Sequence, residues 1–242
     1  METYRIGSWR ELVSLSSFDF EIAPATAALV CVDLQRKTLD RKADRGFARS
    51  LEEIKPGASA PYFDRVENVI VPNVQALQAG FRDRGAHEIH FIVGPAHRDG
   101  RDLPYAFRQT QRGAMQSEDG IVALGDPEFE IVPAVAPLEG ETVFHKVTMG
   151  GFTGTGAELV LRNMGIDTLV LVGGHTHACV ESTGRAAADL GFKVAIVEDA
   201  VINYLPVMHD AAMINFASFL GRVVETQGVL AELDRNAGPP AT

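Results

Sequence analysis

The feature that most constrains this chain is a set of short, unbroken apolar runs, each followed by a polar or glycine-rich turn and then a helix-like stretch. Ala27–Val32 (AALVCV) is the first, and Thr168–Val172 (TLVLV), closed by Gly173 and Gly174, is another. Runs of this length are short for a helix and too apolar for a half-exposed strand, so they read as strands covered on both faces. Further strands are expected at Glu88–Val93, Thr142–Lys146, Phe192–Val197 and Arg222–Glu225, with the Thr142 strand taken as central. Helical spacing falls between them. Tyr62–Arg84 reads as a helix whose regular part opens at Pro72, with Val74, Leu77 and Phe81 as its buried stripe. Gly156–Met164 follows, with Leu159, Val160 and Met164 inward. Pro206–Leu220, with Ala211, Ile214 and Phe219 as burial candidates, and Gly228–Leu233 complete the series. Strands alternating with helices imply an α/β fold: a three-layer αβα sandwich around a central parallel, Rossmann-like sheet of about six strands.

A length of 242 residues suits one domain. Residues 1–24 read as an irregular arm, 36–61 and 94–140 as loop or lid segments, and 236–242 as a flexible tail. The first segment has a possible helical turn at Ala48–Ile54, and the second a possible edge strand at Ile131–Val135, kept from a sheet centre by Pro133 and Pro137. A net charge of −10 without a basic block argues against nucleic acid as a partner. No apolar run reaches the roughly 18 residues a membrane helix requires, and the N-terminus carries no signal-peptide core. Two cysteines give no disulfide framework, so a reducing cytoplasm is expected.

In a parallel sheet all strand C-termini lie on one edge, and ligands bind beyond that edge. Three polar residues stand at or just past such ends: Asp33, Lys146 and Cys179. Cys179 falls in the first turn of a helix-like stretch, where unpaired amides and the helix dipole favour an anion, and a thiolate is a nucleophile. A lysine nearby supports the thiolate, and a carboxylate can take its proton and pass it to a leaving amine. A structural cysteine and a loop-capping aspartate are the alternatives. His90, alternating within its strand, reads as a packed histidine; Arg98 and Arg101 face either a site or solvent.

The stretches ALVCVDLQ, HKVTMGGFTGTGAELVLRNMGIDTLVLVGG and THACVESTGRAAADLGFKVAIVEDA, in this order and spacing, resemble the isochorismatase-like cysteine hydrolases over about Pro24–Leu233. The resemblance implies a catalytic triad of Asp33, Lys146 and Cys179. It also implies a cis peptide between Gly174 and His175, and an oxyanion hole from the N–H groups of His175 and Cys179. It implies hydrolysis of a C–N bond in a small amide, ureide or carbamoyl compound through a thioester, without a cofactor. The metal-binding pattern of nicotinamidases is not matched, because Pro95 stands two residues before His97 where an acidic residue is wanted. Phe152 is expected as a pocket wall, with His175, Gln35 and Tyr204 as further pocket candidates and Arg98 or Arg101 as a reader of a substrate carboxylate. His177 is expected at a helix cap or the surface. Relatives in this family assemble as dimers or tetramers, so a homo-oligomer is implied. Two readings compete: a vinyl ether hydrolase of the isochorismatase type, which as a rule lacks this cysteine, and a catalytically silent interaction module on the same fold. A Rossmann-type nucleotide binder is excluded, because DLQRKTLD after the first strand has no glycine.

Overall fold

The structure is a computed structural model that describes residues 18–111 and 120–236. Most of the expected N-terminal arm, residues 112–119 of the second loop segment and the tail from 237 lie outside the described residues.

Six parallel strands form one sheet in the order β3-β2-β1-β4-β5-β6. They are β1 (Ala27–Val32), β2 (His87–Val93), β3 (Thr142–Lys146), β4 (Thr168–Gly174), β5 (Lys193–Ile202) and β6 (Arg222–Val224). Alternation within β1 divides the core. Ala27, Leu29 and Cys31 face one layer and Ala28, Val30 and Val32 the other, all buried. The first layer is a helical run of α3 (Ser59–Arg65), a π-helical turn (Val66–Ile70) and α4 (Val71–Arg82), with α9 (Thr226–Asn236) beside it. The stripe Val74, Leu77 and Phe81 lies in that core. After β2 comes the short α5 (Tyr105–Thr110), and the second layer is α6 (Ala157–Asn163), α7 (Glu181–Asp189) and α8 (Pro206–Phe219).

Several expectations are corrected. The segment 36–61 is not a loop but carries α1 (Arg36–Leu39), α2 (Phe47–Ile54) and the start of α3. Helical structure starts at Ser59, three residues before the expected Tyr62, and after a π-helical turn the regular α-helix opens at Val71 with Pro72 in its first turn, as expected. β3 is an edge strand, with only β2 beside it. β4 runs through Gly173 and Gly174, and β5 continues past Glu198 to Ile202 after a shift in their register. Pro133–Val135 is a 3-10 turn; only Ile131 bridges, to Gln35. Helix α6 buries Ala157 and Leu161 and leaves Leu159 exposed. Helix α8 buries Ala212, Met213, Phe216 and Ala217, one step of rotation from the expected face, so Phe219 is exposed. His90 is buried and bonded to Glu88 at 2.7 Å.

Candidate active site

The strand order reverses at β1, which lies between β2 and β4, and the crevice of an open α/β sheet forms beyond such a switch point. Asp33 follows β1 directly. Its φ of 52° places it in the left-handed region, which Asp and Asn tolerate better than other side-chain-bearing residues. Cys179 follows β4 through the cis peptide Gly174–His175 and a π-helical turn, Thr176–Val180, which leads into α7. Thr183 Oγ donates to the Cys179 carbonyl at 2.6 Å, and Thr176 Oγ to the Ile202 carbonyl at 3.1 Å, so the turn is tied to both α7 and β5. At Gly173, φ is 112° and a Cβ would run into the Val32 carbonyl oxygen. Only glycine lets β4 come this close to β1.

Lys146 comes from β3, two strands from β1. Strand spacing makes that about 10 Å, a gap a lysine stem can cross. Its ammonium is buried and uses all three N–H donors: Asp33 Oδ2 at 2.9 Å, the Met149 carbonyl at 3.0 Å and the Thr148 carbonyl at 3.1 Å. Burial pulls the Lys146 pKa down, but Asp33 and Cys179 outweigh it and hold the ammonium above its ordinary range. The other carboxylate oxygen, Asp33 Oδ1, is buried and accepts no hydrogen bond.

The Cys179 thiol is pushed well up by burial and then by the charge of Asp33, with Lys146 opposing. The resting sulfur is therefore protonated. This corrects the expectation of a thiolate stabilised by the helix start: loss of solvent and a neighbouring carboxylate outweigh the dipole and the lysine.

A cavity of about 570 Å³ opens above Asp33 and Cys179, a volume in the usual range for small-molecule sites. His175, His177 and Tyr204 line it together with Lys37 and Phe47. Phe47, Tyr62, His175 and Tyr204 pack ring against ring, with centroids 4.7–5.9 Å apart. The Tyr62 hydroxyl donates to the Thr38 carbonyl at 3.2 Å and meets His175 Nε2 at 2.9 Å, joining α1 to the turn before Cys179. Burial, with His177 adding, lowers the His175 pKa to about 4, so this ring is neutral near pH 7.

Other expected pocket residues lie elsewhere. Gln35 is fully buried and structural: its amide donates to the Phe129 carbonyl and accepts from the Val93 N–H, both at 2.8 Å. Phe152 packs between Phe91 and Phe192 in the second-layer core. Arg98 ion-pairs with Asp126 and is not among the residues lining the cavity. Arg101 is exposed beside Asp99 and His97. His177, expected at the surface, lines the cavity, bonded to Asn203 at 2.7 Å. Lys37 and Phe47 were legible only as residues of a charged segment, and Tyr62 only as the start of a helix; the sole signal of Lys37 was nearness to the strand end at Asp33.

An open parallel sheet with a buried Asp–Lys pair and a cysteine at its switch point defines a class of α/β hydrolases that work on small molecules. The family model for the Isochorismatase domain matches residues 27–228. A ureidoacrylate amidohydrolase RutB from Caulobacter segnis is 34% identical over 211 residues, covering 85% of this chain and 84% of that protein. The RutB of Acinetobacter baylyi is 27% identical over 218 residues, covering 89% and 87%. The crystal structure of a cysteine hydrolase from Pseudomonas syringae pv. phaseolicola superposes with a TM-score of 0.74 at 22% identity, covering 90% of this chain and 97% of that one, a likeness of fold. The chain belongs to the isochorismatase-like hydrolase family. Among the described residues no helix is long and apolar enough to cross a membrane.

Proposed function

We propose that this hydrolase cleaves a C–N bond, other than a peptide bond, in a small amide, ureide or carbamoyl compound, with Cys179 as nucleophile, Asp33 as general base and acid, and Lys146 as the charge that supports both. The amidohydrolase names of its sequence relatives support the reaction class. The observation that carries the roles is the cavity floor: a fully satisfied Lys146 ammonium pins one oxygen of Asp33, while the other oxygen has no hydrogen bond and the neighbouring thiol holds a proton.

The chemistry follows from that starting state. The S–H proton passes to Asp33 Oδ1 as the sulfur forms its bond to the carbonyl carbon, and the carbonyl electron pair moves onto oxygen. The N–H groups of His175 and Cys179 are the proposed donors to this oxyanion. Collapse breaks the C–N bond, and the proton on Asp33 moves to the departing nitrogen. Asp33 then removes a proton from water as the water attacks the thioester carbonyl; collapse breaks the C–S bond and releases the acid, and the proton on Asp33 returns to the sulfur. Lys146 stays charged throughout and faces whichever of Asp33 and Cys179 is the anion.

The test is ammonia release from biuret, N-carbamoyl amino acids, ureidoacrylate, maleamate and nicotinamide, by wild type and Cys179→Ala, with and without a chelator. Release that needs Cys179 and ignores the chelator supports the scheme. Release undiminished by Cys179→Ala overturns it.

A further inference from the structure

The cavity holds a second lysine that the hydrolytic scheme does not use. Lys37 sits in α1 and lines the same cavity as Asp33 and Cys179, whose charges, with that of Lys146, act on its ammonium. It donates to the Val93 carbonyl and lies 4.8 Å from the centre of the Phe129 ring. It differs from Lys146 in its partners. Lys146 has a carboxylate and three filled donors, whereas Lys37 donates to the Val93 carbonyl and forms no ion pair among the described residues. Asp33, the nearest acid by charge, is engaged by Lys146. The other cations lining the cavity are matched: Arg45 pairs with Asp126 and Glu128, and Arg49 with Glu53.

An ammonium taken from bulk water without a counter-ion is costly, and a carboxylate in contact relieves that cost. With Asp33 and Lys146 cancelling and Cys179 neutral, Lys37 leaves this end of the cavity one positive charge in excess. Burial lowers its pKa to about 8, against the raising effect of Asp33 and Cys179, so near pH 7 it is still an ammonium. It has donor capacity left for a ligand.

We infer that Lys37 is a specificity-determining residue whose ammonium binds a carboxylate of the substrate, so that the enzyme selects anionic amides or ureides over their neutral counterparts. This rests on the amidohydrolase reading above and names its substrate class. A carboxylate held by Lys37 places the rest of a short acid over Asp33 and Cys179, which share the same floor.

The experiment compares Lys37→Met and Lys37→Arg with wild type on matched pairs: maleamate against maleamide, and N-carbamoylglycine against its amide. Binding of the same compounds to Cys179→Ala and to Cys179→Ala/Lys37→Met is measured by calorimetry, which needs no turnover. Lys37→Met is expected to lower the acid-over-neutral ratio of kcat/KM 30-fold or more, chiefly through KM for the acids; Lys37→Arg keeps part of the preference. A merely structural lysine would move acid and neutral substrates alike. The inference is overturned if wild type shows no preference for acids, or if Lys37→Met changes both members of a pair equally. If neutral amides are hydrolysed through Cys179 without any acid preference, the carboxylate site fails and the hydrolase reading stands. If no compound is hydrolysed but acids bind Cys179→Ala and lose 30-fold in affinity with Lys37→Met, the site stands and the hydrolase reading fails.

Discussion

Replacing Asp33 by Asn should make Cys179 more reactive and the enzyme nearly inactive. Asn keeps the shape of the side chain and tolerates the φ of 52° at this position, so the backbone has little reason to move. What it removes is the charge that, after burial itself, does most to hold the thiol proton. On the scale of about 4 kcal/mol for a unit charge at 4 Å in an effective dielectric constant of about 20, losing this charge raises the thiolate fraction at fixed pH by roughly a hundredfold or more. Lys146, left without Asp33, has the sulfur as its nearest anion and favours ionisation further. The same substitution removes the proton acceptor and donor, a loss of about 10²–10⁴ in turnover. The assay is the iodoacetamide alkylation rate of Cys179 between pH 6 and 10, followed by mass spectrometry beside ammonia release. Cys31, fully buried and with its pKa also raised by burial, is the internal unreactive thiol. Alkylation that is no faster in Asp33→Asn than in wild type, in protein with native circular dichroism, would refute the claim that this carboxylate keeps the sulfur protonated.

Lys146→Met leaves the Asp33 carboxylate buried without its cation, and should lower stability by about 3–5 kcal/mol in urea denaturation, well beyond the effect on an exposed ion pair. Gln35→Ala strands the Val93 N–H, now bonded at 2.8 Å, and should cost about 1–3 kcal/mol by the same measurement. Phe152→Ala should cost about 3 kcal/mol through lost packing on Phe91 and Phe192, with KM for the best substrate moved less than twofold; a large KM change would return it to the pocket wall. As pH rises through about 8, Lys37 loses its proton, so kcat/KM for carboxylate substrates should fall there while neutral analogues lack this limb. Asp33, Cys179 and Lys146 are the charged or titrating groups acting on Lys37, so the limb should vanish in Lys37→Arg, whose guanidinium stays charged.

The sheet was legible because β1 and β4 are apolar enough to exclude a solvent-facing role, and the meeting of Asp33, Lys146 and Cys179 on one edge follows from where parallel strands end. In the segment 36–61 only the turn at Ala48–Ile54 was legible, and it is α2; α1 and the start of α3 were missed because they are four and seven residues long, too short for a period to show. Burial within α6 and α8 was off by a fraction of a turn because both carry apolar residues on more than one face, and only the position of the sheet chooses among them. The thiol was misjudged for a different reason. A helix start and a lysine are visible in sequence, whereas the desolvation that reverses their effect belongs to the closed fold. Phe152 and Gln35 have side chains that suit a pocket wall, and nothing local says that core partners claim them first.

Gly173 divides the molecule into parts with different freedom to vary. Because main chain meets main chain where β4 passes Val32, no side chain there can be trimmed or enlarged to reset the distance between the Asp33 turn and the Cys179 turn. The chemical floor is thus inherited at a fixed gauge. The roof, built from α1, α2 and the residues after β2, meets that floor mainly through side chains, Phe47 packing on His175 and Tyr62 bonding it, with one main-chain bond from the Gly94 N–H to the Lys146 carbonyl at 3.1 Å. A lineage on this scaffold can exchange its roof and acquire new substrates while its floor stays the same, and the helical segment from 36 to 61 is where such divergence has room to occur.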